Sequence, residues 1–139
     1  MPSEMRDAGV ALFDRWTQMW NGHTELAPVI MASHFDLHYA QANTEPFDSA
    51  HTPEALAVLI DGWHRYRPGI RFSTEAHCVV ELELKQAGLF GQVARPYLAS
   101  FKDAQGQEVA RSGIDLLRVS DGRIVEVWSV SSGAAGRTF

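Results

Sequence analysis

A chain of 139 residues, 45% of them hydrophobic and 10% aromatic, holds enough apolar material for one compact domain and too much for a disordered one. Its single cysteine rules out an internal disulfide and fits a reducing, cytoplasmic setting, and a net charge of −5 argues against a nucleic-acid partner. The longest apolar run, Ala55 to Ile60, is far short of the roughly 20 residues that cross a membrane, and the opening MPSEMRDAGV carries no signal-peptide pattern.

In chain order, the first predicted element is a helix from Ser3 to Trp20. Leu12, Phe13, Trp16, Met19 and Trp20 share one stripe, and Asn21-Gly22 stops the helix. A short helical segment follows over Glu25–Met31. His34 to Ala40 reads as a strand, with Phe35, Leu37 and Tyr39 on one side and His34, Asp36 and His38 on the other. A loop rich in Asn, Pro, Asp and Ser leads to Thr52-Pro53-Glu54, a cap, a first-turn proline and a first-turn acid. The helix they open buries Leu56, Leu59, Ile60, Trp63 and Tyr66, and Pro68-Gly69 ends it.

Four strands are then expected as a meander: Ile70–Leu84, Leu89–Phe101, Gln107–Val119 and Arg123–Val130. Helices first and strands later give an α+β class. Asp121-Gly122 is a strong two-residue hairpin turn, so the last register can be counted outward from it. Uninterrupted pairing sets Val119 against Ile124, Leu117 against Glu126 and Asp115 against Trp128. One face then carries Gly113, Asp115, Leu117, Val119, Ile124, Glu126 and Trp128. The other carries Ile114, Leu116, Arg118, Val125, Val127 and Ser129. The mixed face suits a site, since a carboxylate among aromatic groups is desolvated and its pKa rises. The aliphatic face suits a second copy of the chain. In the preceding hairpin, Phe101 against Val109 brings Tyr97 opposite Gly113 and Arg95 opposite Asp115, with Pro96 marking a place for a bulge.

The run from Gly113 through Asp115 and Asp121-Gly122 to Trp128 resembles the final hairpin of the SnoaL-like polyketide cyclases and ketosteroid isomerases, of the nuclear-transport-factor-like superfamily. The order of elements is similar over nearly the whole chain. The resemblance implies a cone-shaped, curved mixed or antiparallel sheet wrapped around three N-terminal helices, the cystatin-like arrangement. It also implies an apolar pocket and a dimer through the sheet, with residues 1–132 as one domain and 133–139 as a flexible tail. Asp115 falls on the acid/base of the cyclases and on the oxyanion donor of the isomerases. The isomerases' general-base Asp falls near His38 or Tyr39 and their oxyanion Tyr near Trp16, while the Arg of the related epoxide hydrolases falls on Gly113.

The candidate catalytic residues are therefore Asp115, His38 and Tyr97. Candidate ligand-binding residues are Trp16, Trp20, Tyr39, Trp63, Arg95, Glu126 and Trp128. No cofactor is expected. His34, Asp36 and His38 have the alternation of a metal site on a strand, but they read as polar surface. Two functions fit: acid/base catalysis of isomerisation, cyclisation, dehydration or hydrolysis on a small hydrophobic carbonyl or polyketide-like compound, and a non-catalytic dimeric small-molecule-binding or accessory domain. Partners expected are a small hydrophobic ligand and a second copy packed on Ile114, Leu116, Val125 and Val127, with neither nucleic acid nor membrane.

Overall fold

The computed structural model describes residues 2–86, 88–133 and 136–139. Helix α1 spans Ser3–Trp20, a 3₁₀ turn and the short α2 (Ala27–Ile30) follow, and strand β1 is Met31–Tyr39. A second 3₁₀ turn over Glu45–Ser49 precedes α3 (Pro53–Tyr66). Then come β2 (Arg71–Thr74), β3 (Val79–Lys85), β4 (Gly88–Lys102), β5 (Glu108–Ser120) and β6 (Arg123–Ser131). The class is α+β, as expected: three helices and one six-stranded, curved, unclosed sheet of order β1-β6-β5-β4-β2, with β3 also paired to β4.

The helices end where their sequences say they should. Thr52 Oγ1 accepts the N–H of Ala55 at the start of α3. At the end of α1, Asn21 docks like a strand partner: its side chain donates to the Phe72 carbonyl at 2.8 Å and accepts the Phe72 N–H at 2.7 Å. One side chain thereby fixes the angle between α1 and β2. Phe13, Trp16, Met19 and Trp20 of α1 and Leu56 and Ile60 of α3 are buried against the concave face of the sheet.

The stretch expected as one strand, Ile70–Leu84, is two. β2 pairs with the C-terminal half of β4 and β3 with its N-terminal half, and residues 75–78 leave the ladder. Pro96, which has no N–H to give, sits on β4 opposite that break. The break lets β4 bend, and Arg95 fills it. Its guanidinium donates twice to the Glu75 carbonyl (2.9 and 2.6 Å) and once to Asp14 of α1 (2.9 Å). The β4–β5 register is the expected one, with Arg95 opposite Asp115, Tyr97 opposite Gly113 and Phe101 opposite Val109, and it runs unbroken through Pro96, so the bulge expected there is absent from this pair.

The last hairpin differs from the uninterrupted count. Its turn has the left-handed pair its sequence calls for, φ 55° at Asp121 and 76° at Gly122. Val119 pairs with Ile124, but Arg118 then pairs with Glu126, so Val125 is an extra residue and β6 is bulged. From there every side chain of β6 is on the opposite face from the expected one. Asp115 faces Ser129 across the pair, Leu117 faces Val127 and Leu116 faces Trp128. The reason is energetic. Without the bulge Glu126 would be pressed into the core against Leu117. With it, Glu126 meets Arg118 at 2.9 Å in solvent, and Val127 becomes fully buried.

The C-terminal tail expected from residue 133 includes residues 134 and 135, which lie outside the described ones. The Phe139 N–H donates to Ser112 Oγ at 2.8 Å. No helix among the described residues is long and apolar enough to cross a membrane.

Candidate functional site

A cavity of about 1050 Å³ opens between α1, the C-terminal half of α3 and the concave face of β4, β5 and β6. Trp16, Trp20, Tyr39, Trp63, Tyr97 and Asp115 all line it. So do Phe47, Phe72, Ser129 and Ser131, which the sequence reading did not single out. Trp20 is the hub of the aromatic wall. Its ring lies 5.6 to 6.4 Å from those of Trp16, Tyr39, Phe47, Trp63 and Phe72, edge-on or tilted. Tyr39 and Phe47 stack at 4.7 Å.

Asp115 lies in this wall, on β5, with 7% of its surface exposed. Trp16 Nε1 donates to its Oδ2 at 2.9 Å. Its Oδ1 has no hydrogen-bond partner among the described residues, and neither has the buried Nε1 of Trp20. Burial pushes the Asp115 carboxyl up to about 6, against the pull of Ser129 and the Trp16 N–H, which favour the ionised form. Tyr97 lies over Gly113, its partner across the β4–β5 pair, so closely that a methyl group there would overlap the phenol ring. Burial and the nearby Asp115 charge push the Tyr97 hydroxyl well above its ordinary range, and Ser129 and Ser131 moderate the rise. Tyr39 is pushed up in the same way, by burial first and then by the charges of Asp115 and Tyr97, and the nearby Trp20 N–H moderates the rise. Near neutral pH both phenols are O–H donors, and Asp115 is the one group here that changes charge.

Four candidates lie elsewhere. His38, on β1 opposite Trp128, projects from the convex face, where it stacks on the Trp128 ring at 5.2 Å and meets Glu126 at 2.7 Å. The Val125 bulge turned Glu126 and Trp128 to that face, and Trp128 is 40% exposed. Arg118 and His38 hold Glu126 below its ordinary range, with the His38 hydrogen bond the larger influence. Arg95 does face inward, but its guanidinium is committed to Asp14 and Glu75, and it does not line the cavity. The other two members of the strand triad both turn to His51, which His34 stacks on at 5.1 Å and Asp36 meets at 3.2 Å, and among the described residues no three such side chains are grouped to hold a metal. His64 Nε2 lies 2.6 Å from the Trp20 carbonyl oxygen, tying α3 to the end of α1.

No protein-family model and no curated protein sequence matches the chain. Solved structures do. A proposed polyketide cyclase from Bacillus cereus superposes at TM-score 0.66 with 17% identity, over 94% of this chain and 78% of that one. IdmH, a proposed polyketide cyclase from Streptomyces antibioticus, gives 0.66 with 16% identity over 88% and 91%. An NTF2-like protein of unknown function from Cytophaga hutchinsonii gives 0.62 with 9% identity over 91% and 98%. The fold is thus that of the SnoaL-like proteins and the wider nuclear-transport-factor-like superfamily, the one implied by the final hairpin. At these identities the likeness is one of fold.

Proposed function

We propose that the protein is an acid–base catalyst acting on a small apolar carbonyl or polyketide-like compound held in the cone, with Asp115 moving the proton. One observation carries this reading: a buried carboxyl at about 6, with Oδ1 unpartnered, in an aromatic cavity. With that pKa, about nine-tenths of Asp115 is ionised at pH 7, so it can accept a proton and return it. Trp16 fixes the carboxylate by holding Oδ2, which leaves Oδ1 for the substrate. Removal of a proton next to a carbonyl builds charge on the carbonyl oxygen. The Tyr97 hydroxyl and the unpartnered Trp20 N–H are donors suited to that charge. Isomerisation, aldol-type cyclisation and dehydration all use this step and need no group beyond these side chains. The described neighbours named as proposed polyketide cyclases are consistent with that chemistry.

A non-catalytic binding domain is the second reading. It is favoured by the placing of His38 on the other face and by the upward shift of both phenols beside Asp115, which leaves neither to share the proton near neutrality. Exchange of the α-protons of 2-tetralone in D₂O, followed by NMR, separates the two. A catalyst accelerates exchange above buffer and loses the effect in Asp115→Asn. A binding domain shifts the ligand signals and leaves the exchange rate unchanged. The protein is further proposed to form a dimer through the convex face, without Val127, which belongs to the core.

A further inference from the structure

The mouth of the cavity has the opposite charge balance from the rest of the chain. Overall there are 12 Lys and Arg against 17 Asp and Glu. Four cationic side chains line the cavity, Arg65 and Arg67 from the end of α3 and Lys102 and Arg111 from the far ends of β4 and β5. The acids among the lining are Asp115, deep in the wall, and Asp103, whose carboxylate caps the N–H groups of Gln105 and Gln107 in its own turn. Arg65, Arg67 and Lys102 form no ion pair among the described residues. The Arg67 guanidinium instead stacks on Trp63 with its centre 3.9 Å from the ring centroid. That cation–π contact holds the guanidinium at the aromatic wall without using its N–H donors, which can serve an oxyanion.

The deep end is built for something else. Among the described residues the unpartnered buried polar atoms of the cavity lining are Asp115 Oδ1, Trp20 Nε1, Gln41 Oε1 and Ser132 Oγ; the first two, an acceptor and a donor, together fit a neutral hydroxyl, which donates to the one and accepts from the other. An anion at that end would meet the Asp115 carboxylate in a poorly solvated space and be repelled. Resting on the reading of this cavity as a ligand site, we propose that its ligand is an amphipathic anion. A neutral hydroxyl enters towards Asp115, a flat apolar body lies along Trp20 and Trp63, and a carboxylate or similar anionic group stays at the mouth between Arg67, Arg65 and Lys102. Charge thereby sets the direction in which the molecule enters.

Calorimetry with 6-hydroxy-2-naphthylacetate and its primary amide tests this, because the two probes share a shape and differ in charge. The acid is expected to bind about three- to tenfold more tightly than the amide at low salt, with the gap closing near roughly 0.5 M salt. Arg67→Gln and Lys102→Gln, on opposite sides of the mouth, should each narrow the gap by weakening the acid alone. Lys102 is exposed, so its variant keeps the test valid if Arg67→Gln disturbs Trp63. Equal binding of acid and amide overturns the proposal and leaves the proton-transfer reading of Asp115 standing. A preference that survives both substitutions together also overturns it. If neither probe binds, the cavity is not a site for such molecules, and this proposal falls whatever the tetralone exchange shows.

Discussion

The Trp16 indole donates to the Asp115 carboxylate at 2.9 Å, joining residues 99 positions apart. This bond links the apolar stripe of α1 to the concave face of β5 and helps set the Asp115 carboxyl at about 6. Removing the donor takes away a group that favours the ionised form. Trp16→Phe should therefore move the Asp115 pKa above its present value, because burial is left less opposed. The carboxyl carbon signal of Asp115 in a ¹³C NMR titration reads this directly. A midpoint that stays put or falls would show that the indole has no part in tuning Asp115. The same variant leaves a void and a buried oxygen unpaired, so a stability loss of about 1–3 kcal/mol is expected by urea unfolding.

Asp115 should also mark the pH dependence of stability. Its pKa is raised on folding, from 3.8 to about 6, so the folded state binds the proton more tightly than the unfolded state. The protonated carboxyl is tolerated in the core. Between about pH 4 and pH 6 the cost of ionising it there accumulates, and stability falls as pH rises. Asp115→Asn never ionises, so it should gain on the wild type through that window by at most about 3 kcal/mol. Parallel urea melts at pH 4, 5, 6 and 7 give the difference. A constant difference across that range would mean that Asp115 does not titrate there.

Gly113 is required by Tyr97. A methyl at position 113 would overlap the phenol ring, so Gly113→Ala should displace Tyr97 and cost about 1–3 kcal/mol. In a Tyr97→Ala background the methyl has room, and most of that cost should disappear. A double-mutant cycle measures the coupling. Additive effects would place the strain elsewhere.

How much of this was readable beforehand depended on whether one local rule governed each segment. The α1 stripe, the Asn21-Gly22 stop and the Thr52 cap were legible because helix periodicity and end chemistry act within a few residues. The β4–β5 register was legible because Phe101 against Val109 and Tyr97 against Gly113 match in size. The Val125 bulge was missed because a two-residue turn fixes register only as far as the first extra residue. A signal was present. An unbulged count sets Glu126 against Leu117, whereas one extra residue sets it against Arg118 and gives an ion pair. The break after β2 was missed because alternation runs on through Cys78, Val80 and Leu82, although Pro96 announced an irregularity on the neighbouring strand. Phe47 sits on a 3₁₀ turn, which has no apolar period to reveal it.

The bulge also decides which substitutions should test the dimer. The convex face presents Ile114, Trp128 and Val130, each exposed by 40–53%, around the polar trio His38, Glu126 and Arg118. Such a face of a single chain leaves large apolar groups in water, and a two-fold partner would cover them while offering the same mixed charges in return. Ile114→Glu should give a folded monomer by sedimentation at micromolar concentration, with the wild type a dimer. Val127→Glu should behave differently. Its side chain is fully buried among the residues packed on α1, so a carboxylate there would unfold the protein rather than dissociate it. A wild-type monomer would sink the dimer itself. A folded, monomeric Val127→Glu would instead show that Val127 faces outward and that β6 lacks its bulge.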